Sequence, residues 1–308
     1  MTALRLGTRA SALAVTQSQH IADRLRAETG VEVELVTIST EGDRSTAPLA
    51  SMGGQGVFVA ALREALVRGD VDFAVHSLKD LPTTPDPRLA VAAIPRREDP
   101  RDVLVARDGL TLGELPQGAR VGTGSPRRQA QLNALGLGVE VVGIRGNVDT
   151  RIGKIASGEC DGVLLARAGL VRLGRADEAT EVIDPLQMLP APGQGALACE
   201  CRVDDVATTR LLAQLDDSDT RAAVTAERSL LATLEAGCSA PVGALAEIAD
   251  GDDGPELWLR AVVGDVSGSP TIRLSATGLP HEAAAVGERL AVEMLAEGAD
   301  ALVAAAAS

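Results

Sequence analysis

The chain has 308 residues, a formal net charge of −14 and 45% hydrophobic residues, the make-up of a globular protein with room for two or three domains. Phe58, Phe73 and Trp258 are its only aromatic residues, so its cores are aliphatic and it lacks stacking platforms for single-stranded nucleic acid. The acidic balance also argues against a nucleic-acid partner, and no apolar run approaches membrane-spanning length.

Residues 4–6 predict a strand. The chain enters it at once with no apolar leader, which predicts a cytoplasmic protein. Leu13, Ile21 and Leu25 then line one face of a helix that Ser11 can cap. Residues 31–39 alternate as a strand does, and the loop Gly53-Gly54-Gln55-Gly56 leads into a helix over 57–68. A strand over 71–75 runs into His76-Ser77-Leu78-Lys79-Asp80-Leu81-Pro82, and another covers 89–94.

Beyond residues 94–100 the same style repeats, with strands at 103–106, 120–122, 139–142 and 162–166 and helices at 126–135 and 148–157. Pro- and Gly-marked segments, 94–100 and 189–195, bracket this second unit like hinges, and a strand over 196–201 returns to the first. The expected domains are one α/β unit over 1–95 and 196–215 and another over 100–190, with a ligand cleft between them at strand carboxyl ends. A helix over 220–235, strands at 242–247, 257–262 and 271–276, and one long Ala-rich helix over about 281–306 predict a small α+β domain spanning 218–308.

Arginines mark the strand-to-helix junctions: Arg9 before Ser11, Arg127 and Arg128 after Thr123-Gly124-Ser125-Pro126, and Arg145-Gly146-Asn147 followed by Arg151. A helix start carries unpaired N–H groups and partial positive charge, and guanidinium groups bind carboxylate or phosphate through paired hydrogen bonds. An acidic protein built this way is suited to a small molecule carrying several negative charges. Lys79 and Lys154 are the only lysines, and Lys79 stands beside Asp80 at a strand end. Either residue can serve chemistry or a surface ion pair. Phe58, just after the glycine loop, is a core residue or a stacking residue.

Cys160, Cys199, Cys201 and Cys238 are the cysteines, and a cytosolic setting disfavours disulfides between them. His20, His76 and His281 do not sit at ligand spacing with a cysteine pair, so no metal is expected. Cys199 and Cys201 alternate along a strand. Cys238 follows a helix in a turn, where a thiolate in electropositive surroundings would be a nucleophile.

Taken together, segments 6–11, 76–82, 122–128, 145–151, 191–196, 224–228 and 234–241 closely resemble the porphobilinogen deaminase (hydroxymethylbilane synthase) family in order and spacing, over nearly the whole chain. The resemblance implies two periplasmic-binding-protein-like α/β domains with a hinge and interdomain cleft, plus a small C-terminal α+β domain. It implies a transferase of haem biosynthesis that joins four porphobilinogen molecules head to tail, releases ammonia and yields a linear tetrapyrrole. The product grows on a dipyrromethane cofactor held by a thioether, and the matching cysteine is Cys238. Asp80 matches the catalytic carboxylate, which would stabilise the cationic azafulvene left by ammonia and relay protons.

By the same resemblance, Lys79, Arg9, Arg127, Arg128, Arg145, Arg151 and Arg172 match positions that bind carboxylates of cofactor or substrate. Ser11, Ser77, Thr123 and Ser125 match neighbouring hydrogen-bond donors, with Gly146 and Asn147 beside Arg145. Phe58 matches an aromatic near the reacting pyrroles, and Gln17 and Gln194 match other cleft positions. A monomer is implied, with neither nucleic-acid nor membrane partner. Gln55 stands where the family commonly has lysine, which removes a charge from the glycine loop, and Ala236 replaces a frequent glycine. The rival reading is an anion-binding two-domain solute-binding or ligand-sensing module without catalysis, which needs neither Asp80 nor Cys238. A phosphate-handling transferase could use the same arginines but has no need of the cysteine.

Overall fold

The computed structural model describes residues 3–38, 56–237, 240–252 and 254–307, without the side chains of residues 56–58 and 307. Their elements run in chain order as β1 (Leu4–Thr8), α1 (Ala12–Thr29), β2 (Val33–Thr37), α2 (Gly56–Arg68), β3 (Phe73–Ser77) and β4 (Leu89–Ala93). Next come β5 (Asp102–Ala106), β6 (Arg120–Thr123), α3 (Pro126–Ala134), β7 (Glu140–Gly143), α4 (Val148–Ala156), β8 (Gly162–Ala166), α5 (Arg167–Arg172) and β9 (Glu181–Val182). After β10 (Leu197–Arg202) and α6 (Val206–Leu212), the chain closes with α7 (Ser218–Thr233), β11 (Val242–Gly251), β12 (Gly254–Gly264), β13 (Thr271–Gly278), α8 (Ala283–Ala296) and α9 (Ala299–Ala307). Contacts divide these elements into two units, Met1–Arg97 with Ala196–Arg221, and Glu98–Gly195 with Ala222–Ser308.

The first unit holds a five-stranded sheet in the order β2-β1-β3-β10-β4, and the second one in the order β7-β6-β8-β5-β9. In each, the second strand in that order is parallel to both neighbours, and the fourth runs antiparallel to the strands beside it. Both sheets are therefore one pattern, an α/β core of parallel strands with an inserted antiparallel strand. Apolar side chains explain the burial: β5 is buried along its whole length, with Val103, Leu104 and Val105 feeding cores on the two faces of its sheet. In such sheets, residues that bind ligands collect at the carboxyl ends of the parallel strands. There stand Arg9 after β1, Lys79 and Asp80 after β3, the Ser125–Arg128 turn after β6, Arg145 after β7 and Arg172 beyond β8.

The C-terminal part is an antiparallel meander, β11-β12-β13, whose strands run longer than their apolar cores predict because the β11–β12 hairpin extends into exposed residues. Leu230, Leu234, Val263, Leu290 and Met294 form its core with α7 and α8. The single closing helix expected over 281–306 is instead two: Gly298, at φ 93°, ends α8 in the left-handed conformation and α9 starts anew. Leu189, Leu245 and Val262 form a small buried cluster that joins this part to the segment following β9 in the same unit. Among the described residues, no helix is long and apolar enough to cross a membrane.

Helices α7 and α8 approach so closely that a Cβ at Gly287 would lie 2.2 Å from the carbonyl oxygen of Ala226. Gly287→Ala is expected to destabilise the protein by about 1–3 kcal/mol, the usual cost of overpacking. Urea unfolding should show the midpoint falling at an unchanged slope; a midpoint equal to the parent's would mean that the helices separate without strain.

Candidate functional site

In the first unit, Ser11 caps α1 by accepting a hydrogen bond from the Ala14 N–H at 3.4 Å. Thr8 and Ser18, both buried, are joined at 2.8 Å, which pins the start of the helix to the end of β1. Gln17 is buried on the same helix. Beyond β3, Leu78–Asp80 form a 3-10 turn. Residues three apart eclipse in such a turn, so Leu78 and Leu81 are buried together while Lys79 and Asp80 are left half-buried. The Leu78 N–H donates to the Ala196 carbonyl at 3.0 Å, which fixes the turn against the chain entering β10.

Behind this turn lies a buried ionic group absent from the sequence reading. Glu200 of β10 accepts from Arg63 of α2 at 2.8 Å, and its other oxygen lies 3.2 Å from Nε2 of His76. His76 pairs with Ala198 and Glu200 with Ala74, so the two side chains are diagonal neighbours across adjacent strands. Burial by itself would raise the Glu200 carboxyl pKa, but His76 and Arg63 overcome it and hold the group below its ordinary value. The last residues before Ser77 and the 3-10 turn are thereby tied to α2, the helix that follows the glycine loop.

In the second unit, Ser125 accepts from the Arg128 N–H at 3.5 Å and Pro126 occupies the first turn, so α3 begins where the sequence places it. Thr123 is buried, and its hydroxyl accepts from the Ser125 N–H at 3.2 Å. Arg127 and Arg128 are also buried. Both guanidinium groups close on Asp102, the first residue of β5: Arg127 Nη1 reaches Oδ2 at 2.7 Å and Arg128 Nη2 reaches Oδ1 at 2.8 Å. Gln194 Nε2 donates to Oδ1 at 2.8 Å and to the Pro100 carbonyl at 2.7 Å. Burial would push the Asp102 carboxyl up, but the two guanidinium charges hold it well below the carboxylate range. Burial lowers the pKa of Arg127.

The second arginine-marked junction packs against the first. A Cβ at Gly124 would lie 2.6 Å from the Ile144 carbonyl oxygen, and one at Gly122 would meet the Ile144 side chain at 2.8 Å. Asn147 caps α4 by accepting from the Thr150 N–H at 2.9 Å, and Arg151 Nε donates to the Gly146 carbonyl at 2.9 Å. Gly146 adopts φ 113°, where a side chain would also strike Thr150. Arg145, Gly146 and Asn147 are exposed. Arg172 lies on α5, a short helix not expected from sequence; it donates to the Gly195 carbonyl at 2.6 Å, and burial lowers its pKa to about 10.

The junction arginines therefore fall into two kinds, a buried pair held by a carboxylate of the protein and a more accessible set around Arg145. The side chain of Phe58, the loop residue Gln55 and the whole of Cys238 lie outside the described residues. The other three cysteines are buried, and burial raises each thiol pKa, that of Cys199 to about 12. Asp102 and the His76–Glu200–Arg63 group were missed in sequence. The available signal for Asp102 was an acid opening an otherwise apolar strand.

Comparison with known proteins gives the class and then the family. The family model for the porphobilinogen deaminase dipyrromethane cofactor binding domain matches residues 4–210, and that for the porphobilinogen deaminase C-terminal domain matches 221–296. Porphobilinogen deaminase 1 of Streptomyces coelicolor is 62% identical, covering 98% of this chain and 97% of the relative. Porphobilinogen deaminase of Mycobacterium tuberculosis is 60% identical over 96% of this chain and 97% of its own. A looser likeness, at TM-score 0.45 and 14% identity, reaches the methionine-binding protein MetQ over 69% of this chain and 89% of that one. The chain is a transferase that uses a dipyrromethane cofactor, with two α/β sheets of one strand pattern and a small C-terminal domain. It belongs to the porphobilinogen deaminase family, and its reaction is the stepwise head-to-tail condensation of four porphobilinogen molecules, with release of ammonia, to the linear hydroxymethylbilane.

Glu200 gives a pH prediction with a definite sign. A carboxyl with a depressed native pKa stabilises the fold fully above its unfolded value, about 4.3, and that stability is lost as the pH falls through the native value. Glu200→Gln should flatten the fall in melting temperature between pH 5 and pH 3, as measured by circular dichroism. A slope matching the parent's would remove Glu200 from the acid response.

Proposed function

We propose that Asp80 is the catalytic carboxylate of this condensation. The observation that carries the reading is the 3-10 turn, which holds Lys79 and Asp80 half-buried and side by side at the carboxyl end of β3 while two buried leucines anchor it. As ammonia leaves porphobilinogen, positive charge develops on the aminomethyl carbon and the pyrrole. A fixed carboxylate stabilises that charge, accepts the pyrrole N–H and relays protons at the leaving nitrogen and the attacking carbon. Lys79, Arg9, Arg145, Arg151 and Arg172 bind acetate and propionate groups, with Ser11, Ser77, Thr123, Ser125, Gly146 and Asn147 adding hydrogen bonds. Gln17 and Gln194 line the site, and Phe58 packs near the reacting rings.

Cys238 bears the dipyrromethane, which supplies the pyrrole carbon from which the chain is extended. The other cysteines are buried with raised thiol pKa values, which supports Cys238 as the attachment point. The start of α3 fits a carboxylate-bearing group: it sets two guanidinium cations against one carboxylate, and Nε of both Arg127 and Arg128 is buried without a hydrogen-bond partner among the described residues. Arg127 and Arg128 hold a cofactor carboxylate there. The segment 218–308 forms the α+β domain carrying Cys238, and the protein acts as a cytoplasmic monomer on porphobilinogen and the growing pyrrole chain. Gln55 leaves the glycine loop without the charge common in the family, so carboxylate binding rests on the junction arginines. Membership of this family sets aside the non-catalytic solute-binding reading.

Intact mass of the denatured protein should exceed the sequence mass by two linked pyrrole units, and Cys238→Ser should abolish the excess. Active protein of unmodified mass would refute the attachment. Asp80→Ala should retain the melting temperature and lose at least about a hundredfold in turnover, the lower range for a general acid–base group; near-parental turnover would place the catalytic carboxylate elsewhere.

A further inference from the structure

Consecutive residues on a helix point about 100° apart, so two neighbouring arginines do not ordinarily act on one group. Arg127 and Arg128 are neighbours at the start of α3, yet both guanidinium groups meet at one buried carboxylate. Each also donates to a backbone carbonyl, Arg127 to Leu189 at 2.6 Å and Arg128 to Leu164 at 2.9 Å. Asp102 is fully buried and accepts from Arg127, Arg128 and Gln194. Its position is rigid, because β5 pairs with β8 on one side and β9 on the other, and Asp102 itself stands opposite Ala166.

We infer that Asp102 is a positioning residue for cofactor loading: it draws two divergent guanidinium groups onto one point and leaves the cluster one positive charge in excess. This rests on the reading that Arg127 and Arg128 hold a cofactor carboxylate. Three features favour positioning over simple charge balance. One carboxylate serves both arginines, where two separate ion pairs would balance charge better. The backbone acceptors fix the tilt of each guanidinium group. Both Nε–H groups remain buried and unpartnered among the described residues, which is a cost for a purely structural cluster and an asset for one that receives an anion. Without Asp102 the like charges repel and the two side chains separate.

The test uses full-length apoprotein made in a host unable to produce porphobilinogen, then given porphobilinogen and followed by intact mass. Leu104→Ala, a buried neighbour on β5, serves as the control for lost stability alone. Asp102→Asn should load its two pyrrole units about tenfold or more slowly than Leu104→Ala per folded molecule, the scale on which small misplacements act. Asp102→Glu keeps the charge and shifts it by one methylene, so its rate should fall between those of Asp102→Asn and the parent. Loading of Asp102→Asn at the rate of Leu104→Ala would overturn the inference. Where Asp102→Asn fails to fold, Asp102→Glu decides: loading slowed at least twofold supports the positioning role, and the parental rate overturns it. Arg127→Leu and Arg128→Leu separate the two levels. Poor loading by both, with normal loading by Asp102→Asn, defeats this inference alone, whereas normal loading by both arginine variants defeats the underlying reading.

Discussion

A single buried carboxylate organises the second unit. Asp102 opens β5, receives the two guanidinium groups from the start of α3 and takes a third hydrogen bond from Gln194 in the segment that leads to β10. Removing one partner of a buried ion pair commonly costs about 3–5 kcal/mol, because an uncompensated charge stays behind. The elements that meet at Asp102 must therefore keep their places together. The network extends further: Arg127 shares the Leu189 carbonyl with Gln131, and Gln131 accepts from Arg273 of β13 at 3.4 Å. Hydrogen bonds thus connect the arginine-bearing helix to the sheet of the C-terminal part within the same unit.

The first unit solves a similar problem with different chemistry. Its 3-10 turn after β3 is anchored by two leucines, and the strand leading to it is held by His76, Glu200 and Arg63. In both units, a charged group on the inserted antiparallel strand, Glu200 on β10 or Asp102 on β5, receives cations from a helix that flanks the sheet. The recurring strand order thus comes with a recurring use of its antiparallel strand.

The helix starts were legible in sequence because capping is local: Ser11 and the Ser125-Pro126 pair need only the next few residues. The Lys79-Asp80 pair at a strand end was legible for the same reason. The destination of the guanidinium groups was not, because Asp102, Leu164 and Leu189 are brought to them only by the sheet. The ion-pair partner of His76 was not legible either, because only the pairing of β3 with β10 places Glu200 beside it. Near the C-terminus, helix-favouring composition on both sides concealed the break at Gly298, where one backbone angle is left-handed.

The strand order of the first sheet also governs the sequence of events during synthesis. Among the described residues β4 pairs with β10 alone, and β10 follows it by roughly a hundred residues. At the usual pace of translation that interval is about 5–20 s. All strands of the second sheet are made within it, so that sheet can close while β4 still has no strand beside it. The unit begun first at the ribosome is thus the later of the two to complete its sheet, and it exposes an unpaired strand edge to the cell while it waits.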